Sequence, residues 1–207
     1  MRLTKYGHAC VRLEEGGRVL VIDPGNLSGP GVLTGATAVL ITHEHEDHVD
    51  VEQLTAARKN NPALTVHTHP ALASELGDGV SAVEVGDTFT AAGFTVRAVG
   101  GAHAEIVDGL PGCPNIGFVV EGVYHPGDSL FVPDEPVHTL LLPSSGPWIK
   151  HGEAITFFRA IGPARAFPIH DAHHSEVGRE NFDAWLSDEE GGKVYARIPV
   201  GASVDLP

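Results

Sequence analysis

A short apolar run, Ala38-Val39-Leu40-Ile41-Thr42, passes without a break into His43-Glu44-His45-Glu46-Asp47-His48. No other feature restricts the fold so much. The run reads as a buried strand, so a dense set of imidazoles and carboxylates sits at its end in the pattern H-x-H-x-D-H. Both side-chain types are good ligands for zinc, manganese or iron. A loop leaving a strand splays alternate side chains. His43 and His45 are therefore expected to face one ion, and Asp47 and His48 another. The alternative is a polar loop of solvated histidines. The 13 histidines among 207 residues add to the case for metal chemistry.

The rest of the chain supplies short elements in quick succession. Ala9 to Glu14 and Arg18 to Asp23 read as strands joined by a hairpin at Glu15-Gly16-Gly17. Val51 to Asn60 has helical spacing, and Pro70 to Leu76 is a helix opened by proline. Strands are expected at 63–67, 82–85, 88–90 and 94–99, and two more within Ile116 to Tyr124 about Glu121-Gly122. Strands at 139–142 and 165–170 then alternate with helices over Glu153 to Ile161 and Val177 to Ser187. Phe182, Trp185 and Leu186 should share one side of the last helix, and Lys193 to Ile198 reads as a final strand. A meander followed by alternation suits an α/β fold of two packed mixed sheets with helices outside. No linker or repeat divides residues 1–207, so one domain is expected.

Charge narrows the partners. Thirteen basic against 27 acidic residues gives −14, which weighs against nucleic acid, whose binding leaves a basic footprint. No apolar run reaches the ~20 residues of a membrane span. Two cysteines, Cys10 and Cys113, make no disulfide framework. With no apolar core in the first residues, a cytoplasmic location and a small-molecule substrate are expected. The oligomeric state stays open.

Four further motifs follow the same theme: Val21-Ile22-Asp23-Pro24-Gly25, Gly100-Gly101-Ala102-His103, Tyr124-His125-Pro126-Gly127-Asp128 and Phe167-Pro168-Ile169-His170. Taken in order with H-x-H-x-D-H, they resemble the five landmarks of the metallo-β-lactamase superfamily. The likeness runs through most of the chain and is strongest to the compact branch that includes ascorbate-6-phosphate lactonase and N-acyl-phosphatidylethanolamine-hydrolysing phospholipase D. It implies an αββα sandwich. It also implies two divalent ions, zinc foremost, with His43, His45 and His103 on one and Asp47, His48 and His170 on the other. Asp128 would bridge them, and Asp23 would orient a ligand histidine. The implied activity is hydrolysis of a small ester, lactone or phosphodiester by metal-activated hydroxide, with Asp47 or Asp128 taking the proton.

Other polar residues have two readings each. His8 either lines the site or is an exposed strand residue. His125 is a rim residue or a structural one. His67 and His69 form H-x-H without a following D-H and read as a surface strand end. His173 and His174 read as loop residues, one of which could contact substrate, and His138 and His151 as surface. Cys10 suits a core and Cys113 a loop. The segment holding Ser144, Trp148 and Lys150 either lines the pocket, with Lys150 holding an anionic group, or is a structural loop. Two rival functions remain: a mononuclear iron oxidoreductase of dioxygenase type, and a non-catalytic metal-binding module. A flavin di-iron enzyme would want glutamate at His45 and a second domain. No serine or cysteine nucleophile signature is present.

Overall fold

The computed structural model describes residues 1–110, 112–189 and 195–207. The first part of the chain forms β1 (Arg2–Gly7), β2 (Cys10–Glu15), β3 (Arg18–Ile22), β4 (Ala38–Leu40), α1 (Val51–Asn60), β5 (Thr65–Thr68), α2 (Pro70–Leu76) and β6 (Val80–Ala82). The second part forms β7 (Thr88–Ala91), β8 (Phe94–Gly100), β9 (Ile116–Val120), β10 (Val123–His125), β11 (Thr139–Pro143), α3 (His151–Ile161), β12 (Arg165–Ile169) and α4 (Glu176–Glu189). A last strand, β13 (Ser203–Asp205), returns to the first sheet. The sheets run β13-β1-β2-β3-β4-β5-β6 and β12-β11-β10-β9-β8-β7.

Side chains on a strand alternate between faces, and here most strands bury both. Leu20 and Ile22 of β3, Leu40 of β4, and Ile116, Phe118 and Val120 of β9 point into one cluster shared by the two sheets. Their neighbours Val21 and Val39 instead join a cluster with Leu54 of α1 and Leu72 of α2. On the far side, Val119, Leu140 and Leu142 pack with Phe157 and Phe158 of α3 and Phe182 and Leu186 of α4. The layers are therefore helix, sheet, sheet, helix. Doubly buried strands explain why the central runs are continuously apolar rather than alternating.

Several expectations are corrected, among them the strand at 82–85, in whose place β6 ends at Ala82. Trp185 is 58% exposed while Phe182 and Leu186 are buried, so the apolar face of α4 is narrower than the pattern suggested. The first strand is β1, which precedes the expected meander. No strand forms among the described residues of 193–198: Tyr195 makes one isolated bridge to Ala166, and residues 193 and 194 lie outside the described residues. Among the described residues no helix is long and apolar enough to cross a membrane.

Candidate metal centre

The loops that matter leave the ends of β3, β4, β8, β10 and β12. Asp23 follows β3 directly, its backbone in the left-handed region at φ 51°. Its carboxylate is fully buried. It accepts from the Thr42 amide at 2.8 Å, the Thr42 hydroxyl at 2.7 Å and His48 Nδ1 at 2.7 Å. A buried carboxylate without such partners would cost several kcal/mol. Gly25 lets this loop reach the histidine run, since a Cβ there would lie 1.9 Å from the Asp47 carbonyl oxygen.

Two groups of side chains gather above these loops. His43, His45, His103 and Asp128 form one, and His8, Asp47, His48 and His170 the other; within each, one ligand atom per residue lies within 4.8 Å of the rest. Asp128 reaches into both. Its Oδ1 is 3.1 Å from His48 Nε2, and its Oδ2 is 3.1 Å from His170 Nε2 and 3.4 Å from His103 Nε2. All seven side chains that the sequence singled out are thus brought together, and His8 joins them.

The hydrogen bonds around this cluster fix which ring nitrogen faces inward. His103 Nδ1 donates to the Ala104 carbonyl at 2.6 Å, and His170 Nδ1 to the Ser145 carbonyl at 2.7 Å. The Thr42 hydroxyl spends its one proton on Asp23, so it accepts from His43 Nδ1 at 3.0 Å. Proton-bearing Nδ1 atoms leave Nε2 with a lone pair. Among the described residues His48 Nε2, His103 Nε2, His170 Nε2 and Asp128 Oδ1 are buried without a hydrogen-bond partner. Inward lone pairs facing carboxylate oxygens at such distances call for a cation between them. A donor set of imidazole and carboxylate fits a divalent transition metal.

The carboxylates also govern the charge of the histidines around them. Burial disfavours a charged His48, but Asp128 and Asp23 outweigh it and raise its pKa to about 10. His170, likewise desolvated yet held by Asp128 and Asp47, is raised to about 9. Burial and the neighbouring His48 push His43 well below its usual value. Asp128 stays ionised, because the surrounding histidines overcome its desolvation.

Other residues hold the ligands. Trp148 is buried, 7% exposed, and its indole Nε1 donates to Asp128 Oδ2 at 2.9 Å. Buried Asn115 accepts from the Asp128 amide at 3.0 Å and donates to the Pro126 carbonyl at 2.9 Å. Gly127, at φ 62°, passes so close that a Cβ would meet Asn115 Oδ1 at 2.3 Å. Asp171, beside His170, accepts from buried Lys5 at 2.7 Å and from Arg197. Neither Asn115 nor the Lys5–Asp171 pair carries a local sequence signal, because their partners lie far along the chain.

The remaining candidates separate clearly. His125 is fully buried; its Nε2 donates to the Ala9 carbonyl at 2.8 Å and its Nδ1 accepts from the Gly127 amide at 3.1 Å. It is a structural residue behind the site. His69 is not a surface residue, as expected, but is buried. Its Nδ1 accepts from the Leu72 amide to cap α2, and its Nε2 lies 3.1 Å from Glu44 Oε2. His67 is half-buried and stacks on Phe89. Lys150 is 87% exposed and lies 3.9 Å from Glu153 at the start of α3. His173 is exposed, its ring centroid 5.6 Å from that of His170, and His174 donates from Nε2 to the Ser144 carbonyl. His138 is exposed, whereas His151 is half-buried against Phe182. Cys10 is buried; Cys113 lies in a loop 3.9 Å from His45 Nε2, its thiol pushed up to about 11 by burial.

Residues 2–170 match the family profile described as the beta-lactamase superfamily domain. The chain belongs to the metallo-β-lactamase superfamily. Protein Rv0786c of Mycobacterium tuberculosis is 45% identical over 179 residues, covering 83% of this chain and 84% of its own. A UPF0173 metal-dependent hydrolase of Methanoregula boonei is 30% identical over 229 residues, covering 100% and 99%. Igni18, a solved metallo hydrolase from Ignicoccus hospitalis, superposes with a TM-score of 0.76 at 18% identity, covering 100% of this chain and 99% of its own. At that identity the likeness speaks for the superfamily fold.

Proposed function

We propose that this metal-dependent hydrolase holds two divalent ions, zinc foremost, and cleaves a small ester, lactone or phosphodiester. His43, His45 and His103 would hold one ion, Asp47, His48 and His170 the other, with Asp128 between them. The carrying observation is the set of buried, unpartnered nitrogens that converge from both groups on one carboxylate. Manganese or iron would suit the same donors.

Such a pair of ions supplies Lewis acidity, lowering the pKa of water toward neutrality and stabilising charge on an attacked carbonyl or phosphoryl group. The chain does the rest. Asp23, Ser145 and Ala104 keep the Nδ1 protons of three ligand histidines turned outward. Asp128 supplies a negative charge where two cations would otherwise repel. Asp47, with its side chain 21% exposed, is better placed than buried Asp128 to take a proton from water and pass it to solvent. The acidic chain, at a net charge of −14, favours a small substrate over a nucleic acid.

The test is a hydrolysis screen of lactones, carboxylic esters and phosphodiesters on protein reconstituted with zinc, manganese or iron. Hydrolysis that a chelator abolishes and the metal restores is expected. Full activity in metal-stripped protein would refute the proposal.

A further inference from the structure

His8 lies among the ligands of the second group, and by distance alone it would complete that set. Its hydrogen bonds run the opposite way from theirs. In His103 and His170 the outer nitrogen, Nδ1, faces a backbone carbonyl, which can only accept. In His8 the outer nitrogen faces the backbone amide of Ala172, which can only donate, at 3.2 Å. His8 Nδ1 therefore presents its lone pair, and the ring proton belongs to Nε2, 3.0 Å from Asp47 Oδ2. A ring nitrogen that carries a proton has no lone pair for a metal. The contrast extends to partnership. The inward nitrogens of His48, His103 and His170 are orphaned, whereas both nitrogens of His8 are satisfied within the protein.

We infer that His8 is not a metal ligand but a positioning residue, which donates Nε2–H to Asp47 and sets the orientation of that carboxylate toward the second ion. The inference rests on the binuclear reading above for what Asp47 does. The surroundings of His8 suit a fixed donor. It is 2% exposed and sits in the tight turn between β1 and β2 at φ 45°. Few non-glycine residues adopt this left-handed region, and those that do are often held there at functional sites. Its carbonyl accepts from the His170 amide at 3.0 Å, and its ring packs on that of His170 with centroids 3.9 Å apart. One turn thus ties Asp47 and His170 together, two ligands 123 positions apart by the difference 170 − 47. Outer partners of this kind typically set metal affinity by roughly ten- to a hundredfold.

The decisive experiment is a long-range proton–nitrogen NMR correlation on zinc-reconstituted protein carrying 15N-labelled histidine. The expected pattern for His8 is a protonated Nε2 and a bare Nδ1, the reverse of His103 and His170. A protonated Nδ1 with a zinc-shifted Nε2 at His8 would overturn the inference. Two variants add a second readout. At saturating zinc, His8→Ala and His8→Gln should both keep the full wild-type zinc content. His8→Ala should bind its weaker zinc about tenfold less tightly in chelator competition. His8→Gln, whose amide can donate where Nε2–H stood, should recover most of that loss. Loss of one zinc equivalent from both variants at saturation would again overturn it. A wild-type protein that holds fewer than two zinc ions would refute the binuclear reading instead, and the His8 proton position would still be legible in the same spectrum.

Discussion

The two candidate ligand groups meet at Asp128 but are braced differently. In the first, His103 leans on a backbone carbonyl, His43 on the Thr42 hydroxyl, which in turn donates to Asp23, and exposed His45 has a weak Cys113 contact at its outer nitrogen. In the second, His48 leans on the buried carboxylate of Asp23, His170 on a carbonyl, and Asp47 on His8. A carboxylate behind an imidazole raises its basicity more than a carbonyl does. With His8 counted as support, the first group offers three candidate histidine ligands against two in the second, whereas the second has a carboxylate directly behind His48 and a histidine behind Asp47. Ligand count and ligand support are thus separate properties of this site, and substitutions can pull them apart.

The largest effect is expected where the groups meet. Asp128→Ala removes the one side chain common to both, so metal analysis should find both ions lost and hydrolysis at background. His170→Ala, by contrast, should lose one ion and keep the three-histidine group filled. If the two variants show the reverse order, Asp128 does not bridge.

Next comes the brace itself. Asp23→Asn should weaken zinc in the second group by roughly ten- to a hundredfold in chelator competition, and zinc in the first group less, because Asp23 reaches His43 through the Thr42 hydroxyl rather than directly. Equal loss from both groups would erase the distinction between them. Trp148→Phe keeps an aromatic ring, though a smaller one, and deletes one hydrogen bond to a charged acceptor, an interaction of about 1.5–3 kcal/mol. About a tenfold loss of metal affinity is expected, spread over both ions because Asp128 serves both. An effect confined to substrate KM would instead make Trp148 a substrate contact.

The smallest effects lie outside the groups. His67→Ala should leave metal content unchanged. His69→Ala should also keep both ions and cost about 1 kcal/mol of stability through the lost helix cap, seen as a lower unfolding midpoint. Loss of a metal equivalent from either would mean that the second H-x-H has a role beside the first.

How much of this was legible in sequence depends on how far each signal reached along the chain. Helix α1 has the bounds the pattern indicated, helped by Asp50, which accepts from the Gln53 amide. Helix α2 begins at its proline. The histidine run was legible because one loop carries four of the candidate ligands. Strand β1 was not, since Lys5 interrupts its pattern; the residue is buried because Asp171, far along the chain, neutralises it. Strand β13 is three residues long and is defined by pairing with β1. His69 looked like a solvated residue because nothing local announces Glu44 as its partner. Trp148 was read as pocket lining or structural loop, and its bond to Asp128 crosses between two loops. Thr42 stood in plain view beside the histidines, yet its relay from His43 to Asp23 becomes visible only when β3 and β4 lie side by side.

In the proposed site one carboxylate, that of Asp128, would stand between two metal ions. Anomalous diffraction at the zinc edge from crystals of zinc-reconstituted protein tests it most directly. Two peaks flanking the Asp128 carboxylate are predicted, one among His43, His45 and His103 and the other among Asp47, His48 and His170. A single peak, or two peaks that leave Asp128 out of contact with one of them, would contradict the account.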